Sequence, residues 1–194
     1  MHSHINHLYA LLETAKEIGV PHTYVHFLGD GRDTAPRSAT IYLKNLFEFM
    51  KKEEYGELAT IIGRYYAMDR DKRWERIKIA VEGLVKGTGE VAEDPIKAIE
   101  SNYEKDVTDE FLKPIIVNGD AGRIKGNGFL DCLVKIIPDV RMVLQVGDTL
   151  FFFNYRSDRM REIVSVMGLP DKLVEVDIPA NLVCICPRSG ILPC

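Results

Sequence analysis

Cysteine is scarce and unevenly placed: the sequence holds four, and residues 1–131 contain none. Cys132 stands by itself, while Cys184, Cys186 and Cys194 crowd into the C-terminal end. Such a distribution excludes a domain built on a disulfide framework. Cys184 and Cys186 are separated by a single residue, which is not the C-x-x-C spacing of zinc or redox pairs. Long apolar runs are missing as well, since no stretch approaches the roughly 18 residues that span a membrane. Nor is there an excess of one charge: 25 Lys and Arg against 29 Asp and Glu leave a net −4. That balance removes the general attraction that holds proteins to nucleic acid or to an anionic membrane, so neither is expected as a partner. The start, MHSHINH, lacks a basic-then-apolar signal pattern, and a cytoplasmic setting is the expectation.

What is present is an ordinary globular composition, 46% hydrophobic and 28% charged over 194 residues. That suits one domain, or one domain with an appendage, and a sizeable core. His7 to Ile18 reads as a helix, with Leu8, Leu11, Leu12, Ala15 and Ile18 on one face and Gly19 as the stop. HTYVHFL, His22 to Leu28, reads as a buried strand before the turn-rich GDGRD. Ala39 to Lys52 is helical by periodicity. ATII running into GRYYAMDRD gives a second strand that ends in arginine, and Trp74 to Val85 a strongly amphipathic helix. KAIESNYEKD predicts a further helix, PIIVNGDAGR a third strand, LFFFNYRSDR a fourth, and MREIVSVMG the helix after it. Short apolar strands alternating with helices predict an α/β fold: a mainly parallel sheet with helices on both faces, in three layers. Ligands in such folds sit beyond the carboxyl ends of the strands.

Those ends are where the unusual residues gather. Each motif has a plain structural explanation. GDGRD is a tight turn, with Asp33 or Thr34 available to cap the next helix. The arginines of GRYYAMDRDKRWER can pair with Asp69, Asp71 and Glu75 on a solvated face. In NYRSDR, Ser157 or Asp158 can cap the helix that follows, but Arg156 follows a strand too apolar to be an exposed edge. Taken together, three strand ends deliver Arg32, then Arg64 and Arg70, then Arg156 and Arg159 to one side of the sheet. Guanidinium groups crowded this way repel one another unless an anion is bound. The residues themselves point to a phosphorylated organic acid, with the reaction left open.

HSHINHLYALLETAKEIG, HFLGDGRDTAPRSA, GRYYAMDRDKRWER and FFFNYRSDRMREI, in this order, resemble the cofactor-independent (2,3-bisphosphoglycerate-independent) phosphoglycerate mutases. The likeness covers most of residues 2–125 and 147–177. That family interconverts 3-phosphoglycerate and 2-phosphoglycerate in glycolysis, as an isomerase of the intramolecular phosphotransferase kind. It uses a phosphatase-like domain with two manganese ions and a serine nucleophile, and a transferase domain that holds the substrate. The resemblance is to the transferase domain. It implies substrate-binding roles for His2, Arg32, Asp33, Arg64, Arg70, Arg156 and Arg159. The arginines would grip phosphoglycerate, His2 would contact the phosphoryl group, and Asp33 would orient hydroxyls or assist proton transfer as the catalytic residue. No manganese ligands are expected in this chain, because the segments that supply them in the family, like the nucleophile segment, have no counterpart here. His4 and His7 share a helical face, but capping and packing explain them better than a metal.

The sequence departs from the family in places. Met1 stands where the family has a valine of Gly-Gly-Val-His-Ser-His, and the preceding strand has no counterpart. Between Lys125 and Gly147 about 20 apolar-rich residues separate segments that are nearly contiguous in the family, and Ala121 replaces a usual acidic residue. Residues 1–178 are accordingly expected to be a partial transferase domain with an atypical insert at about 127–146, and residues 179–194 a divergent tail. An intron read as coding sequence would explain the insert; transcript reads crossing 127–146 without a junction would exclude that origin. On this reading the chain has negligible mutase activity by itself. The alternatives are a non-catalytic phosphate- or anion-binding module on the same scaffold, or an unstable mis-spliced product.

Overall fold

The computed structural model describes residues 3–117, 119–125, 148–169, 173–179, 181–186 and 190–193. The expected insert and His2 lie outside them. Helix α1 (Ile5–Glu17) begins earlier than its apolar spacing suggests, and the reason is local. His4 accepts the backbone N–H of Asn6 through Nδ1, and His7 Nδ1 accepts the N–H of His4, a reciprocal cap that closes the first turn. The chain continues through β1 (Tyr24–Gly29), α2 (Ala39–Glu53), β2 (Glu57–Gly63), the single-turn α3 (Arg64–Ala67) and α4 (Trp74–Lys86). Then come β3 (Glu90–Val91), α5 (Pro95–Glu104), a 3-10 turn (Asp109–Phe111) and β4 (Ile115–Ile116). Beyond the insert lie β5 (Thr149–Phe151), α6 (Ser157–Gly168), β6 (Val183–Cys186) and β7 (Gly190–Pro193).

The described strands form two sheets, in orders β1-β2-β4-β3 and β5-β6-β7. Parallel pairing joins β1 to β2, β3 to β4 and β5 to β6, while β4 runs antiparallel to β2 and β7 to β6. The α/β class and mainly parallel pairing thus agree with the sequence, although the strands do not make one continuous ladder. Two expected strands are much shorter than their apolar runs. Of PIIVNGDAGR only Ile115 and Ile116 are strand, because Pro114 has no N–H to offer a ladder. Of LFFFNYRSDR only Leu150 and Phe151 are strand, and Asn154 Oδ1 takes the Arg156 N–H at 3.0 Å to start a turn.

Helices cover both faces of the first sheet. Ile61 and Ile62, adjacent on β2, point to opposite sides, as the pleat requires. Ile61 packs with Leu12, Leu43, Leu46 and Ile99 from α1, α2 and α5. Ile62 packs with Ile77 and Val81 of α4 and Met160 and Ile163 of α6. Burying each such side chain contributes about 2 kcal/mol. Cys184 is fully buried in the second cluster, where β6 meets α6. No helix among the described residues is long and apolar enough to cross a membrane.

Candidate functional site

The carboxyl end of β1 runs into a turn organised by the Asp30 carboxylate. Asp30 Oδ1 accepts the N–H groups of Arg32 and Asp33 at 3.2 and 3.1 Å, and Gly31 between them takes φ of +64°. Thr34 Oγ1 accepts the Gly31 N–H. Neither Asp33 nor Thr34 caps α2, contrary to expectation. That task falls to Asp109, 70 residues on, whose Oδ2 accepts the N–H groups of Ser38 and Ala39 at 2.9 Å each. Asp109 is buried and also receives the Tyr103 hydroxyl, so burial and this bond push the Tyr103 phenol well above its usual range.

Arg64 is the first residue of α3, placed immediately after β2, and only 3% of it is exposed. Its Nη1 binds Asp30 Oδ1 and, at 3.3 Å, Asp33 Oδ2. Burial works against its cation, but the two carboxylates outweigh that and raise its pKa. Arg70 reaches Asp158 Oδ2 at 3.3 Å, and Asp158 Oδ1 accepts Arg156 Nε at 2.9 Å. Although desolvation opposes it, this pair of guanidinium groups holds Asp158 below the usual carboxylate range. Neither Ser157 nor Asp158 caps α6 through its side chain: Arg156 is the N-cap, and Asp158 is occupied by the arginines.

Arg159 differs from the rest. Its Nη1 donates to the Met68 carbonyl at 3.1 Å, and its buried Nε, like that of Arg64, has no hydrogen-bond partner. No ion pair joins it to a carboxylate among the described residues. Burial first, and then the charges of Arg64, Arg70 and Arg156, lower its pKa. The nearby Asp158 carboxylate acts the other way.

Arg32, Arg64, Arg70 and Arg159 line one hollow of about 270 Å³. Arg156 stands behind it, reaching it through Asp158, and Asp33 is engaged with Arg64. The remaining wall is formed by Tyr65, Met68, Arg76, Glu110 and Phe111, none of which the sequence singled out, and by the carboxylates Asp69 and Asp71. Arg76 lies 3.7 Å from the centre of the Tyr65 ring and 3.4 Å from Asp69. Asp69, only 4% exposed, spends Oδ2 on the N–H groups of Asp71 and Arg73 and so shapes the loop that carries Arg70. Glu162 ties the same loop to α6 by accepting the Lys72 N–H at 2.7 Å; burial, with Asp69 and Asp71 close by, raises its pKa. Acid followed by aromatic in Asp109-Glu110-Phe111, just ahead of Pro114, was the available signal for the turn that closes the hollow.

No group of three or more His, Cys, Asp or Glu side chains among the described residues is placed to hold a metal ion. His4 and His7 spend their Nδ1 atoms on the helix cap.

Comparison with known proteins decides the family. The family model described as the BPG-independent PGAM N-terminus matches residues 1–133. The chain belongs to that family. Among its curated relatives, the 2,3-bisphosphoglycerate-independent phosphoglycerate mutase of Onchocerca volvulus is 50% identical over 171 residues, covering 87% of this chain and 29% of that protein. The enzyme of the same name from Myxococcus xanthus is 43% identical over 171 residues, covering 88% of this chain and 30% of that protein. The chain thus spans about three tenths of these relatives' length. Crystal structures of Leishmania mexicana phosphoglycerate mutase at low cobalt concentration share the fold, with a TM-score of 0.76 at 23% identity, covering 95% of this chain and 32% of that one.

Proposed function

We propose that this chain is the substrate-holding part of a 2,3-bisphosphoglycerate-independent phosphoglycerate mutase, working in the cytoplasm on 3-phosphoglycerate and 2-phosphoglycerate. The observation that carries the reading is Arg159: a half-buried guanidinium with no ion pair to a carboxylate among the described residues, lining an open hollow with Arg64 and Arg70. A dianionic phosphoryl group would supply the missing counter-charge, and the carboxylate of the same three-carbon acid would meet a further guanidinium of the hollow. Arg32, Arg70 and Arg156 would contribute further donors, and His2 would contact the phosphoryl group. Asp33, which steadies Arg64, would lie beside the glycerate hydroxyls and help orient them.

The arginines' physical task would be retention. A phosphoryl group that leaves one hydroxyl and returns to the other requires the glycerate to stay captured while it turns, and fixed cations do this without reorganising. The manganese ions and serine nucleophile would come from the portion of the relatives outside this match, so residues 1–194 alone would turn over negligibly. Mixing the purified chain with a separately produced remainder of a relative tests the assignment. Restored, metal-dependent interconversion supports it; failure of the mixture, with both parts folded and phosphoglycerate bound, favours a binding module instead.

A further inference from the structure

Three acids line the hollow beside its arginines: Asp69, bonded to its own loop and to Arg76, Asp71 beside Arg70, and Glu110. The Glu110 backbone has no freedom to move away. The 3-10 turn Asp109–Phe111 lies directly across the ends of β1 and β2, so that a Cβ on Gly31 would come within 2.9 Å of the Glu110 amide, and one on Gly63 would overlap the Glu110 carbonyl. Gly63 donates its N–H to Leu112 at 2.8 Å, and the preceding Asp109 is clamped by Ser38, Ala39 and Tyr103. The side chain of Glu110 is therefore presented to the hollow from a rigid base, with 18% of it exposed. Its partner is Arg32, at 3.7 Å, too far for a hydrogen bond. Arg32 is 58% exposed and sits on the turn, whereas Arg64 is buried between two carboxylates. Of these two guanidinium groups Arg64 is preset, and Arg32 is loosely parked.

We propose that Glu110 is an internal counterion that holds Arg32 while the site is empty and is exchanged for the ligand's anionic group on binding. This rests on the proposed anion-binding role of the hollow. The carboxylate suppresses capture of small anions, because a ligand must both tolerate its charge and draw Arg32 away from it. A ligand with two anionic groups can do so with one group while the other stays on Arg64 and Arg159. Glu110 thereby sets a preference for bifunctional acids over inorganic phosphate.

The test is calorimetric titration of the full chain with inorganic phosphate and with 3-phosphoglycerate, comparing wild type, Glu110→Gln, Arg32→Ala, the double variant and Arg159→Ala. Removing the charge in Glu110→Gln is expected to tighten inorganic phosphate roughly fivefold, as loss of a like charge several ångströms away allows. The gain should be smaller for 3-phosphoglycerate, and smaller again when Arg32 is also alanine. Unchanged or weaker phosphate binding in Glu110→Gln, with binding still lost in Arg159→Ala, overturns the counterion role alone. If Arg159→Ala binds like wild type, or wild type binds neither anion at millimolar concentration, the anion-site reading falls and this inference with it.

Discussion

Arg159, half-buried, gives its Nη1 hydrogen to the carbonyl of Met68 at 3.1 Å, a neutral acceptor rather than a carboxylate. The bond fixes the guanidinium without neutralising it. Helix α6 thereby places a positive charge near Arg64, Arg70 and Arg156, whose repulsion lowers its pKa while Asp158 opposes it.

Stability and affinity should separate at this residue. Arg159→Ala removes repulsion but also the Met68 bond, so the ligand-free melting temperature is expected to move by less than about 4 °C. The affinity for 3-phosphoglycerate should fall about 100-fold, the scale of a charge-assisted bond to a desolvated group. A scanning-calorimetry and titration pair on the same variant checks both halves.

Asp109 predicts the opposite pattern. Its replacement by Ala strands the buried N–H groups of Ser38 and Ala39 and the Tyr103 hydroxyl. At a cost of about 1–3 kcal/mol for each stranded group, a loss of about 3 kcal/mol or more is expected. Urea unfolding would show it as a lowered midpoint, and a midpoint equal to wild type would contradict the capping role.

Gly63 is a position where only the absence of a side chain lets the 3-10 turn cross the strand ends. In Gly63→Ala the new methyl would meet the Glu110 carbonyl and come within 2.7 Å of the Leu112 nitrogen, both backbone atoms that cannot swing aside. A destabilisation of about 2 kcal/mol is expected, together with weaker phosphate binding because Glu110 and Phe111 are displaced. A melt indistinguishable from wild type would show that the turn yields.

His26, on β1, gives the fold a pH dependence. Burial lowers its pKa from 6.5 to about 4, and its Nδ1 lies 2.9 Å from Thr60 Oγ1. The unfolded chain binds this proton below about pH 6.5 while the folded chain refuses it until about pH 4. Stability from this group is therefore complete above pH 6.5 and declines as the pH falls through that window, by at most about 3 kcal/mol. Melting temperatures measured from pH 7.5 to 4 should show a slope that flattens in His26→Asn; an unchanged slope would assign the acid sensitivity elsewhere.

Much of this arrangement is legible from residue order. Helical spacing located α2 and α4 to within a residue or two, because Leu43, Leu46, Ile77 and Val81 all face the core. Four of the five arginines singled out at strand ends do line one hollow. What the residues could not disclose depends on contacts between distant segments. The α2 cap comes from Asp109 rather than a neighbouring side chain, and no local pattern links residues 70 positions apart. Glu110 and Phe111 enter the site only because the glycines of β2 and the GDGRD turn let a remote turn lie flat against them. Strand lengths failed for a similar reason: apolar runs report burial, whereas pairing depends on a partner with free backbone groups.

The most direct measurement is titration of the purified 194-residue chain with 3-phosphoglycerate at two salt concentrations. Saturable one-to-one binding that weakens with added salt and disappears in Arg159→Ala is the predicted result. Absence of binding by a cooperatively folded chain, or binding that survives the loss of Arg159, would contradict a phosphoglycerate site built on these arginines.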